Sequence, residues 1–173
     1  MKRYFTFLAI AACAAGALDA QNNPLSAGNK YLYTAIKTNI VKAAQKMPEE
    51  NYSFKPTPEV RSFGQVIGHV ADAQYLFCAA VAGEKKSSNN EKTKTSKADL
   101  VAALQEAFTY CDAVYNAMTD AAAADKLKFF GQDATKLGVL TFNVAHDNEH
   151  YGNIVTYMRL KGLVPPSSES NSP

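Results

Sequence analysis

His146 and His150 lie four residues apart in the stretch 141–154, TFNVAHDNEHYGNI, and the chain has one other histidine, His69. Side chains four apart on an α-helix leave the same face, one turn apart. Two imidazoles so placed can grip one metal ion, and a third from a neighbouring helix leaves a coordination position open. An ion held by neutral imidazoles keeps its double charge. It can lower the pKa of bound water toward neutrality, polarise a carbonyl or activate a thiol. Asp72, three residues after His69, and Glu149, next to His150, are the candidate catalytic groups. Either could act as base, or hydrogen-bond the far nitrogen of a ligand imidazole. Asn143 or Asn153 could donate to a bound substrate.

A helical count of about 100° per residue shows what the histidines face. With His146 at zero, His150 falls at about +40°. Val139, Phe142, Asn143, Asn153, Ile154 and Tyr157 lie within about 80° of the midpoint between the two rings, while Asp147 and Glu149 sit at the edges. The pair therefore shares an apolar stripe directed at a protein interior. Around His69, the same count gathers Gln65, Val66, Asp72, Ala73 and Leu76. The plain alternative is three separately satisfied core histidines. Burying three imidazoles without a shared partner costs desolvation at each, and one shared metal removes that conflict.

Four helices are needed to place these stripes. Asn23 and Pro24 read as cap and first position of a helix, with Leu32, Ile36, Ile40 and Ala43 or Ala44 keeping its period to about Met47. Pro48, Pro56 and Pro58 make residues 49–61 a loop, from which Tyr52 and Phe54 fold back onto the bundle. Ser62 and Gln65 form a capping box for a second helix that ends at Gly83 and carries His69 about two turns in. Residues 83–96, rich in Lys, Ser, Asn and Thr, read as a solvated, mobile loop. A basic anion-binding loop is the sharper alternative, without the aromatic or glycine patterning that would favour it. Ser96 and Asp99 cap a third helix running to about Thr119. Residues 126–130 alternate briefly as an extended segment, ended by Gly131. The fourth helix runs from about Thr135 to Leu160 or Lys161, with Gly162 at its C-terminal cap and Pro165-Pro166 beyond. Four amphipathic helices of about 20 residues make an all-α four-helix bundle with a long loop between its second and third helices.

Helix four has a second apolar stripe: Leu140, Val144, Tyr151, Val155 and Met158. Either it packs on neighbouring helices of its own bundle, or it covers a second copy in a homodimer.

The chain has 173 residues, the length of one domain. It is 47% hydrophobic and 20% charged, enough apolar material for a core. A formal net charge of +2 gives no argument for a nucleic-acid partner. Residues 1–20 read as a signal peptide: Lys2 and Arg3, then an apolar run through Leu18, then small residues. Cleavage is expected after Ala20, or after Ala17 with Ala15 three positions earlier. Residues 10–13 (IAAC) offer a rival, lipoprotein processing at Cys13. The apolar run is too short to span a membrane, and no later run is long enough. The expected mature protein is exported (periplasmic or extracellular), or tethered by lipid. Its domain covers 21–166, followed by a polar, disordered tail at 167–173. Cys78 and Cys111 read as two free thiols packed in the core. The alternative is pairing in an oxidising compartment.

Several segments resemble the DinB/YfiT-like family of four-helix-bundle metalloenzymes. They are 54–56 (FKP), 62–73 (SFGQVIGHVADA), 146–154 (HDNEHYGNI) and the closing 159–166 (RLKGLVPP). The resemblance spans essentially the whole expected mature chain. It implies an up-down-down-up bundle, a divalent metal (commonly zinc or nickel) on His69, His146 and His150, and often a dimer. It implies little about reaction: some members transfer thiol cofactors to electrophiles, some isomerise thiol adducts, and many have no known activity. In that topology the second and third helices run parallel, which sets Cys78 and Cys111 at similar heights and makes a disulfide geometrically open. An export signal departs from cytosolic relatives and weakens the thiol-cofactor reading, because small thiols are chiefly cytosolic. The leading expectation is an exported metal-dependent hydrolase or thiol transferase with an unidentified small-molecule substrate. Two alternatives stand beside it: a metal- or ligand-binding protein without turnover, and a bundle with a vestigial site that binds a partner.

Overall fold

A computed structural model of the protein describes residues 23–169. The expected signal segment, with Cys13, and residues 170–173 lie outside the described residues. Four long helices form the frame: α1 (Pro24–Lys46), α2 (Phe63–Ala82), α4 (Lys97–Ala117) and α6 (Lys136–Leu160). Two single-turn helices, α3 (Asn90–Thr93) and α5 (Asp120–Ala123), and a hairpin of β1 (Lys126–Phe129) and β2 (Gln132–Thr135) complete it. None of the described helices is long and apolar enough to cross a membrane.

The long-range hydrogen bonds fix the topology. Asn29 on α1 bonds Thr141 near the start of α6, and Lys46 at the end of α1 reaches the carbonyl of Val164 just beyond α6, so these helices run parallel. Lys37 pairs with Asp112 and Ser26 with Asp120, so α4 runs antiparallel to α1. Gln74 meets Asp147 while Tyr157 reaches the carbonyl of Arg61, so α2 runs antiparallel to α6. The result is the expected up-down-down-up bundle. Each long helix packs against two others, α1 and α2 each lying beside α4 and α6.

Local signals explain most helix ends. Ser62 Oγ accepts from the Gln65 amide, and the Gln65 side chain accepts from the Ser62 amide, closing the capping box. Ser96 and Thr135 cap α4 and α6 in the same way, through the amides of Asp99 and Gly138. Gly83 takes φ 73° after α2, a left-handed conformation that costs a residue without a Cβ little. At α1 the cap differs from expectation. Asn23 makes no side-chain capping bond; its Oδ1 accepts from the amide of Asp120, and the Asp120 carboxylate accepts from the amides of Leu25 and Ser26. Two helix starts thus cap each other across the fold.

The core gathers Tyr33, Ile40, Met47, Phe63, Ile67, Leu104, Phe108, Leu140, Ile154 and Met158. On α1 the expected inward positions Ile36, Ile40, Ala43 and Ala44 are buried, but at the first of them the core takes Tyr33, 1% exposed, in place of Leu32, 54% exposed. Tyr52 folds back as expected and donates to the carbonyl of Ala44 at 2.6 Å. The second stripe of α6 is filled largely from within: Leu140, Val144, Tyr151 and Met158 are buried in the single chain, and Val155 is partly buried against the core. That face therefore packs on its own bundle and carries no argument for a dimer.

Three further expectations are corrected. Residues 83–96 are not all solvated loop. Asn90–Thr93 form a turn of helix docked on α2, and Lys86 stacks over the rings of Tyr75 and Tyr110. The extended segment at 126–129 does not end alone: it pairs with 132–135 through a turn at Phe130 and Gly131, both with positive φ. Residues 167–169, expected in a disordered tail, are tied down. The Ser167 amide donates to Tyr151, Arg159 to Ser168, and Lys46 pairs with Glu169.

Cys78 and Cys111 are not free thiols. They form a disulfide joining α2 to α4, with Cα atoms 5.4 Å apart and both residues fully buried. Parallel helices at matched height bring the two Cβ atoms together, which sequence spacing alone could not decide. The bridge closes a separation of 33 residues. The Cys78→Ser/Cys111→Ser double variant should lose about 2–4 kcal/mol in denaturant unfolding. An unchanged unfolding midpoint would show that the bridge adds nothing to stability.

Candidate metal centre

His69 comes from the middle of α2, and His146 and His150 from consecutive turns of α6. The antiparallel packing of α2 on α6 turns both stripes toward one another. His146 Nε2 stands 3.2 Å from His69 Nε2 and 3.1 Å from His150 Nε2. All three sequence-predicted ligands thus converge by the same ring atom and could hold one metal ion. His150 is buried, and His69 and His146 are partly so.

The donor set fits a metal better than it fits protons. Nε2 of His146 faces two other Nε2 atoms, and a single N–H can satisfy only one of them. Metal–nitrogen bonds of about 2.0–2.1 Å, at angles from square to tetrahedral, place neighbouring ligand nitrogens about 2.9–3.4 Å apart. The observed spacings lie in that interval.

The tautomer follows from a residue the sequence reading did not single out. Glu91, on α3, accepts from His69 Nδ1 at 3.0 Å. A proton held on Nδ1 leaves Nε2 with a lone pair aimed at the cluster. The other oxygen of Glu91 takes Arg61 Nε at 2.8 Å, which fixes the carboxylate. Glu91 sat in the stretch read as mobile loop, and only the fold brings it to α2. Gly68 permits that approach: a Cβ there would lie 2.7 Å from the Cα of Glu91.

Below His146 is a second overlooked acid, Asp147, fully buried. Its Oδ1 accepts from Gln74 at 2.8 Å and lies 4.0 Å from His146 Nδ1, within ionic reach but beyond a hydrogen bond. Gln74 in turn accepts from Asn143, which also donates to Tyr115. The helical count had put Asp147 at the stripe's edge. Its burial comes from the amide that α2 sends to meet it.

The expected catalytic groups are placed differently from each other. Asp72 is half-buried and its carboxylate is committed: it accepts from Ser88 Oγ, from both nitrogens of Asn90 and from the Glu91 amide. It holds the start of α3, and so the height of Glu91. Glu149 is exposed. Of the two asparagines considered for substrate, Asn143 is buried in the Gln74 network, and Asn153 is exposed along the groove beside His150.

Electrostatics favour the neutral form of His150 and His69. Burial, followed by the neighbouring His146, His69 and Arg61, pulls His150 down to about 3. His69 is lowered too, first by burial and then by Arg61, with Glu91 acting in the opposite sense. Burial above all raises Asp147 to about 6. Imidazoles that resist protonation are available to a metal over a wide pH range.

A helical bundle with three histidines converging between two antiparallel helices defines a protein class with a candidate metal centre. The family model for the DinB superfamily matches residues 32–154, and the chain belongs to that superfamily. It is similar to the protein YjoA of Bacillus subtilis strain 168, uncharacterized by name, at 23% identity over 122 residues, covering 69% of this chain and 79% of that one. Two crystal structures share the fold. A DinB-like protein of Bacillus cereus ATCC 10987 superposes with a TM-score of 0.72 at 20% identity, covering 81% of this chain and 95% of that one. The DinB-like YjoA of B. subtilis gives 0.66 at 17% identity, covering 84% and 99%.

Two measurements test the geometry. Gly68→Ala should push α3 off α2, release Glu91 from His69 and weaken metal affinity about tenfold or more in a chelator competition; unchanged affinity would mean that Glu91 does not matter to the site. The second concerns acid stability without metal. An unfolded chain takes up a proton at position 150 near pH 6.5, as an ordinary histidine does. The folded chain holds it off until about pH 3, so this residue's stabilising effect is present above pH 6.5 and lost as pH falls through that window. Asp147 works in the opposite direction between roughly pH 4 and 6, so the comparison is with His150→Gln. Between pH 7 and 5 the parent should lose about 2 kcal/mol more than that variant. Equal slopes would contradict the depressed histidine.

Proposed function

We propose that this protein binds one divalent metal ion through Nε2 of His69, His146 and His150 and uses it on a small-molecule substrate, as an exported metal-dependent enzyme. The carrying observation is the convergence of three Nε2 atoms within 3.2 Å through each pair that His146 makes. Zinc or nickel suits three imidazoles. Once bound, such an ion supplies Lewis acidity and an activated water or thiol.

The chain's own groups have definable tasks around it. Glu91 holds the proton on His69 Nδ1 and orients that ring. Arg61 fixes Glu91. Asp147 places negative charge under His146. Asp72, one of the two candidate bases, is engaged with α3, and releasing it for proton transfer would cost those bonds. Glu149 would have to reach in from the exposed side. Groove-facing Asn153 remains a candidate donor to substrate.

Export is part of the proposal. The signal-like residues 1–20 support it, and so does the buried Cys78–Cys111 bridge, since structural disulfides persist in oxidising compartments. Such a location favours hydrolysis over transfer of a cytosolic thiol. Lipid attachment at Cys13 and a homodimer remain alternatives to a free monomer.

Elemental analysis of the purified protein after exposure to zinc or nickel should find about one ion per chain, and His146→Ala should lose most of it. A metal-free parent under those conditions would sink the proposal. Metal uptake without turnover of any hydrolase or thiol-transfer substrate would favour a binding protein.

A further inference from the structure

Resting on the metal-centre reading, we propose that the site takes an elongated amphiphile: an apolar, aromatic-sized group at one end and a hydrogen-bond acceptor at the other, lying across the histidines. Two pockets meet the cluster from opposite ends of the α2–α6 groove. The first, about 470 Å³, contains His69 and His146 and is walled by Leu76, Phe77, Phe130 and Phe142. The second, about 510 Å³, contains His150 and is walled by Arg61, Asn153 and Tyr157, with Val66 at its side. Because α2 and α6 run antiparallel, the order along the groove is fixed. On α6 it runs Phe142, His146, His150, Asn153, Tyr157. On α2 it runs Leu76, Ala73, His69, Val66, with Arg61 just before the helix. The histidines are the midpoint.

The apolar end is exposed in a way that folding does not explain. Leu76, Phe130 and Phe142 are 45%, 67% and 51% exposed. Phe130 is also the one non-glycine residue with positive φ among those described, at 48° in the hairpin turn. A bulky residue in that conformation is strained, and an aromatic held there beside a candidate metal centre has no role in the core. The one acid in this pocket, Asp72, is already saturated by hydrogen bonds from Ser88, Asn90 and Glu91.

At the other end the available donors are the Arg61 guanidinium and the Asn153 amide. The charge of Arg61 is balanced by Glu91 at 2.8 Å, and Glu59 lies in the same pocket. That surrounding suits an uncharged acceptor such as a carbonyl better than an anion. Helical rise sets the scale: one turn, about 6 Å, separates His146 from Phe142, and about 5 Å separates His150 from Asn153.

N-phenylacetylglycinamide has a phenyl group, a central amide and a polar amide at these spacings. Its affinity for the zinc-loaded protein should be compared by calorimetry with two truncated probes, N-acetylglycinamide and N-ethylphenylacetamide. The full probe should bind about tenfold more tightly than either. Phe130→Ser and Phe142→Ala, both at exposed positions, should each weaken the two phenyl probes several-fold and leave N-acetylglycinamide unchanged. Asn153→Ala should weaken the two glycinamides and spare N-ethylphenylacetamide. If zinc binds and the three probes do not differ, or the phenylalanine variants leave the phenyl probes unaffected, the divided groove is wrong and the metal centre stands. If no zinc binds, the metal reading itself fails, and this proposal with it.

Discussion

Three imidazole nitrogens pressed together in a partly dry site create a demand that protons cannot meet. His146 Nε2 faces two neighbours at 3.1 and 3.2 Å. If all three rings are neutral, at most one contact per N–H is a hydrogen bond and the remaining lone pairs oppose one another. If a ring takes a proton, it does so where burial penalises charge. The low value of His150 expresses that penalty. Much of the surrounding structure keeps the rings in this relation. Glu91 sets the tautomer of His69, Asp72 anchors the turn that bears Glu91, and Gly68 leaves room for that turn's backbone. Beneath His146, Gln74, Asn143 and Tyr115 form a polar layer within an otherwise apolar core. Such a layer is tolerated because most of its buried groups are paired.

The parts of this arrangement that were legible in the sequence are those governed by short-range rules. Capping at Ser62 and Ser96, the glycine stops and the four helical periods need only a few neighbouring residues to be recognised. The convergence of three histidines was legible for the same reason: the i, i+4 pair and the lone His69 each lay on an apolar stripe. What failed depends on contacts distant in sequence. Residues 90–93 are polar and look like loop, and they become a helical turn because Asp72, 18 and 19 residues away, accepts from two of their amides. Asp147 looked peripheral on a helical wheel, and Gln74 makes it a core residue. Periodicity also tells which face is apolar without telling what covers it, so the second stripe of α6 could be assigned to a partner when its own bundle fills it. The cysteines were similar: their heights could be counted, whereas their lateral separation is a property of helix packing.

The disulfide and the candidate metal centre use the same helix for different purposes. Cys78 ties α2 to α4 on one side, and His69 meets α6 on another. Gln74 links the two sides, since its carbonyl lies 3.3 Å from Cys111 Sγ while its side chain bonds Asp147 and Asn143. A covalent tie across α2 and α4 restrains sliding of α2 along its axis. Sliding would matter, because a shift of one residue, about 1.5 Å, is several times the roughly 0.2 Å tolerance of metal–ligand bonds. The bridge therefore fixes the height of His69 relative to α4 as well as stabilising the bundle.

The groove has a different logic at its two ends. Its polar end is built from helix faces and the start of α2, elements that the core holds rigidly. Its apolar end depends on a hairpin tip, where Phe130 adopts a backbone conformation that costs about 1–3 kcal/mol for an ordinary residue. The antiparallel register from Lys126–Thr135 to Phe129–Gln132 leaves Phe130 and Gly131 alone to turn the chain, and both must then take positive φ. Glycine at both positions would make this turn with less strain. A phenylalanine here adds little buried area to the core, yet its ring centroid lies 4.2 Å from that of Phe129 and reaches the pocket of His69 and His146. The strain buys an aromatic wall at the mouth of the site, a position from which a bound apolar group would complete the burial that the unliganded fold leaves open.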